Sequence, residues 1–141
     1  MKNTHTLAWH HFKFRVPADW ESTAYSVEDR AGRLEFSTRK GFQALVGWEP
    51  CKRAPDAETM MLSFLREQTS GIGSVKETPA GGLKTRTVGA FLMGLDTEDR
   101  PCQAIGYLES RKKLLSWVFA SSGRKLVEET FVPLLESFEP N

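Results

Sequence analysis

Cysteine is scarce in this chain: Cys51 and Cys102 are the only two in 141 residues. That excludes a disulfide-stapled scaffold. Neither residue lies in a C-x-x-C motif or at an expected helix N-terminus, so no activated-thiol signature is present. Both are expected to be reduced, and bridged only if the fold brings their Cα atoms within about 7 Å. Histidine is limited to His5, His10 and His11, whereas a zinc site needs three or four converging ligands. His10 and His11 are neighbours on an expected strand, so they point to opposite faces and cannot share a metal. No apolar run approaches the ~18 residues of a membrane span. The start, MKNTHTLAWHHFKF, lacks the regions of a signal peptide, so a cytoplasmic location is expected. Net charge is lacking too, since 19 basic and 18 acidic side chains leave +1. That balance supplies no long-range field for nucleic acid or an anionic membrane. Phosphate loops are also missing. Gly71-Ile72-Gly73 and Gly81-Gly82 are not followed by Lys-Ser/Thr, and they read as a helix stop and a hairpin turn.

What is present is the material for one core. A hydrophobic fraction of 40% and a charged fraction of 26% over 141 residues fit a single globular domain. A chain of that length can fold without metal or disulfide help. The short basic clusters Arg39-Lys40, Lys52-Arg53, Arg111-Lys112-Lys113 and Arg124-Lys125 fall where turns are expected and read as solvated loop charge.

Strand-like runs alternate with turn chemistry. In residues 11–16 (HFKFRV), Phe12, Phe14 and Val16 share one face and Lys13 and Arg15 the other. Pro17 then stops the ladder because it has no N–H to donate. Residues 24–28 and 34–38 read as strands joined by a turn over 29–33, and 44–49 (ALVGWE) as a fourth strand ended by Pro50. From Pro55 the period changes: Ala57, Met60, Met61, Phe64 and Leu65 form a single helical stripe. Asp56 is placed to cap that helix, with Glu58 favourable in its first turn and Gly71 its stop. A second run of strands follows at 75–78, 83–95, 102–110 and 114–121, with tight connections that make neighbours antiparallel. Residues 123–138 return to a helical period, with Ser122 as cap and a kink or break expected at Val132, the residue before Pro133.

The expected fold class is therefore α+β. It is an antiparallel sheet of about seven or eight strands in a three-layer α/β/α sandwich, in the order ββββ-α-ββββ-α over a single domain spanning 1–141. Residues 88–95, 114–119 and 45–48 refine this, because both faces of these runs are apolar. Such strands are expected to be central and covered on both sides, either by helices on opposite faces or by a helix on one and a bound object on the other.

The opening Phe12-Lys13-Phe14-Arg15-Val16-Pro17-Ala18-Asp19-Trp20, a strand followed by a P-x-x-W corner, and the closing FVPLLESF at 131–138 resemble the PsbP-like fold. That family includes the extrinsic P subunit of photosystem II, the Ran-binding Mog protein and small bacterial proteins related to DcrB. The resemblance spans nearly the whole chain and implies the sandwich, with Trp20 plugging the corner. It also implies protein binding without a catalytic residue set: members bind a photosystem core, a small GTPase or, as effector-associated chaperones, apolar helices of secreted toxins. The GTPase-binding acidic surface does not map onto this chain, and no transit peptide is expected from its opening residues.

Core packing accounts for each tryptophan. The competing reading is that Trp48, Phe91, Met93, Tyr107 and Trp117 line a groove, since aromatic and Met side chains give large contact area with few frozen torsions. The first functional expectation is thus a non-enzymatic cytoplasmic binding module, without cofactor or metal. It would recognise a protein segment or apolar ligand on one sheet face, as a secretion-effector-associated chaperone in one version. The second is a hydrolase-like small-molecule enzyme with a pocket near Cys51, Cys102 or His10. It requires a nucleophile and base within hydrogen-bond reach. The third is a toxin-immunity or structural interaction protein. An exposed edge strand or uncovered face would favour a homodimer.

Overall fold

Phe12, Phe14 and Val16 alternate with Lys13 and Arg15 as a half-buried strand requires, and all three apolar side chains are buried. The chain is seen here in a computed structural model that describes residues 3–9, 12–28, 31–61, 83–96, 102–121 and 123–140. The expected turn at 29–30, the middle helix beyond residue 61, the strand at 75–78, the turns through residue 82, most of the loop at 96–101, and His10, His11, Gly71 and Ser122 lie outside the described residues.

The described strands are β1 (Thr4–Ala8), β2 (Phe12–Pro17), β3 (Glu21–Glu28), β4 (Ala31–Thr38), β5 (Gly41–Pro50), β6 (Leu83–Val88), β7 (Phe91–Asp96), β8 (Cys102–Leu108), β9 (Lys113–Phe119) and β10 (Glu139–Pro140). Seven form one antiparallel sheet in the order β3-β4-β5-β9-β8-β7-β6. Two meanders, β3-β4-β5 and β6-β7-β8-β9, therefore meet along their last strands. β2 does not join this sheet, contrary to the single-sheet expectation. It is the centre of a second antiparallel sheet, β1-β2-β10.

Five strands, not four, precede the middle helix, because Thr4–Ala8 pairs with β2. The run at 83–95 is also two strands. Gly89 adopts φ +59 and, with Ala90, makes a two-residue hairpin between Val88 and Phe91. Glycine at the first loop position of such a hairpin suits a II′ turn.

Helix α1 is described over residues 57–61. As expected, Asp56 caps it: Oδ1 accepts from the Thr59 N–H at 3.3 Å and Oδ2 from the Thr59 hydroxyl at 2.9 Å. The C-terminal segment is helical through α2 (Arg124–Leu126), a π-helical turn (Val127–Phe131) and α3 (Val132–Glu136). Of the expected kink or break at Val132, a break does not occur, since that residue keeps φ −62 and ψ −50. The π turn accommodates Pro133 instead. Val132 donates to the Val127 carbonyl five residues back, which widens the turn ahead of a ring that has no N–H and crowds the carbonyl four residues behind it.

Two hydrophobic clusters lie on opposite faces of the large sheet. The major one joins its inner face to β2 and to α2–α3, with Trp117 edge-on to Phe14 at 5.2 Å and Phe119 stacked on Phe131 at 4.4 Å. Trp20 closes the corner after Pro17 against Phe36 and Phe131, and its backbone N–H donates to the Pro17 carbonyl at 3.0 Å. On the outer face, Met61 of α1 is buried against Ile105 and Leu114. β8, for which no such cover was expected, is thus buried on both faces, whereas β9 is buried on its outer face only at Leu114, with Ser116 and Val118 half-exposed, so the cover expected on both sides of 114–119 is met in part. β5 departs from it too. Ala44, Val46 and Trp48 are buried on its inner face, while Leu45 and Gly47 stay half-exposed on the outer one.

Candidate functional site

Pleat parity decides which of the expected groove residues meet. β5 pairs Val46 with Trp117 and Trp48 with Leu115, and β8 pairs Ala104 with Met93 and Gly106 with Phe91. Trp48, Phe91, Met93 and Trp117 therefore share the inner face, where they are 4%, 1%, 0% and 1% exposed. They pack the major core, although Trp48 also borders one recess of the surface and Phe91, together with Tyr107, another. Tyr107 has the opposite parity, and its hydroxyl donates to the Cys51 carbonyl at 2.7 Å. Desolvation, and then the neighbouring Cys51 and Glu109 charges, hold that phenol above its ordinary value, which keeps the donor protonated. The five residues are not one site.

The thiols are not one site either. Cys102 lies level with Phe119 and Ala44, whereas Cys51 follows Pro50, seven residues further along β5. At about 3.3 Å per residue that is roughly 23 Å, far beyond a disulfide or a shared pocket. Cys102 is fully buried, and burial pushes its thiol up to about 12, which makes it inert. The Cys51 thiol donates to the Arg53 carbonyl at 2.9 Å. Among the described residues no group of His, Cys, Asp and Glu is arranged to hold a metal ion, and no helix is long and apolar enough to cross a membrane.

The half-exposed outer face of β5 holds a recess of about 340 Å³. Its origin is a cross-strand row with little side chain in it, Arg33-Gly47-Ser116-Ile105. The next row, Leu45 and Val118, forms one wall. Leu114, with Met60 of α1, forms the other. A Cβ added at Gly47 would stand 3.3 Å from the Ser116 Oγ, so the floor is as low as two opposed strands permit. Arg33 and Glu49 are exposed at the edge.

Two other recesses offer less to an apolar ligand. One of about 510 Å³ is lined in part by Phe91, Leu108 and Leu115, which have little surface left to bury. Another of about 670 Å³ is ringed by the exposed charges Asp19, Glu21, Arg39 and Lys40. The recess over β5 keeps half-buried aliphatic side chains facing a cavity. Of its members, Trp48 was among the expected groove residues; for the rest the sequence pointed to the strands that build the recess, through their doubly apolar runs at 45–48 and 114–119.

No family model matches the chain, and no curated protein matches it. Among solved structures, a protein from Bacteroides thetaiotaomicron VPI-5482 determined at 1.50 Å resolution aligns with 11% identity and a TM-score of 0.44. The alignment covers 92% of this chain but 45% of that one, so the chain spans under half the length of that protein. A likeness at this distance carries no argument about what the chain does.

Proposed function

We propose that the protein is a non-enzymatic binding module that takes an apolar ligand or segment into the outer-face recess over Gly47 and Ser116. One observation carries this: the outer face of the neighbouring apolar strands β5 and β9 is buried only at Leu114, and Leu45, Ser116 and Val118 are left half-exposed around a cavity. Cavities of this size that are mainly aliphatic, with a few charges at the edge, suit small apolar ligands or single anchoring side chains. The layered sandwich and the PsbP-like relationship belong to the same reading, supported by the Trp20 corner and by the two hydrophobic clusters. In its protein-binding version, a cytoplasmic chaperone would seat an apolar effector helix here.

The test is saturable binding of a neutral solvatochromic dye. Ser116→Leu should fill the recess and abolish the blue shift while leaving the unfolding midpoint within a few degrees. Undiminished dye binding by that variant, or no saturable binding by the parent, rejects the reading.

A further inference from the structure

We propose that the ligand of this recess is an amphipathic anion, a medium-chain carboxylate whose alkyl chain lies over Gly47 and Ser116 and whose headgroup meets Arg33; this rests on the binding reading above. Arg33 stands directly across from Gly47 in the β4–β5 register and lines the recess. Its guanidinium has no ion pair among the described residues, where the pairs are Lys13–Glu139 and Arg86–Glu128. A planar, permanently charged fork beside an aliphatic cavity matches a carboxylate, which it can hold through two parallel N–H···O bonds. Glu49 is the other charge at the edge, two residues past Gly47 on β5 and opposite Leu114. Repulsion there turns the headgroup toward Arg33. Glu35, the next residue of β4 on that face, does not line the recess. The volume of about 340 Å³ is at the small end for ligand cavities and suits one short chain, not a sterol or a diacyl lipid.

Calorimetric titration with straight-chain carboxylates of increasing length and their matched alcohols, below micelle-forming concentrations, tests this. Affinity should rise about threefold to fourfold per added methylene until the recess is full, then level off. Each carboxylate should bind roughly fivefold to tenfold more tightly than its alcohol, and Arg33→Gln should erase that advantage without changing alcohol binding. Alcohols binding as well as carboxylates, or an unaffected Arg33→Gln, overturn the anion while leaving the apolar recess standing. Absence of binding by both series overturns both. Full carboxylate binding by Ser116→Leu overturns the placement.

Discussion

Gly106→Ala is a sharp probe of the inner face. Gly106 pairs with Phe91 across β8 and β7, and an added Cβ would meet the Phe91 ring at 2.6 and 2.7 Å from Cδ1 and Cε1. The ring cannot yield cheaply, since it is 1% exposed and set edge-on against Phe138 at 5.0 Å. Overpacking of this kind costs about 1–3 kcal/mol, which for a chain of this size lowers Tm by roughly 3–10 °C. Urea unfolding followed by tryptophan fluorescence measures the loss. Phe91→Leu alone should cost about 1–2 kcal/mol through the volume it leaves behind. With the ring gone the new methyl has room, so the double variant should be little worse than Phe91→Leu alone, a coupling of about 1 kcal/mol or more. Gly94→Ala is the contrast. There the added Cβ meets the Met61 Sδ, Cγ and Cε, the far end of a flexible thioether, and the cost should stay below about 1 kcal/mol. Two results would refute the reasoning: Gly106 and Phe91 effects that add within about 0.5 kcal/mol, or a Gly94→Ala loss exceeding that of Gly106→Ala.

A thiol reagent at pH 8 should label Cys51 in the native protein and reach Cys102 only on unfolding. Because burial raises the Cys102 thiol from 9.0 to about 12, its contribution to stability is intact below pH 9 and is lost as pH climbs toward 12. The loss should be about 1.4 kcal/mol by pH 10, absent from Cys102→Ala when the two proteins' pH profiles are compared. The Thr59 N–H and hydroxyl lower the Asp56 carboxyl below 3.8, so its support of α1 is present above that value and fades as pH falls through the folded value. Asp56→Asn should flatten this acid arm in unfolding profiles. Arg86 and Glu128 pair at 2.5 Å but are 38% and 51% exposed, so a double-mutant cycle should give only about 0.2–1 kcal/mol, shrinking in high salt.

Local chemistry was legible where it acts locally. The alternation of β2 and the cap at Asp56 follow from residues close in sequence, while the Trp20 corner was implied by the PsbP-like resemblance. What failed needed distant partners. β1 (THTLA) carries little burial signal of its own and is held by β2, and β10 spans just two residues whose partner lies 126 positions earlier, Glu139 against Lys13. That same pairing took β2 out of the large sheet. The split of 83–95 rested on one glycine, hidden because Val88, Ala90 and Phe91 around it are strand-compatible.

That the expected groove residues do not share one site has a different reason. Large apolar side chains announce contact area, but in a sheet of this kind they are the ones that fill the covered face. A cavity forms where side chain is missing. Gly47 and Ser116 are unremarkable in a hydrophobic run, yet their register puts them side by side on the face where the described part of α1 packs against Ile105 and Leu114. Aliphatic walls around a floor of hydrogen and hydroxyl then leave a hollow, and the cation beside it is the one residue of β4 opposite that glycine. The informative pattern was therefore a doubly apolar strand with a small residue at its centre, paired to another of the same kind. In such a pair, which face is covered depends on how distant elements pack against the sheet, which periodicity cannot specify.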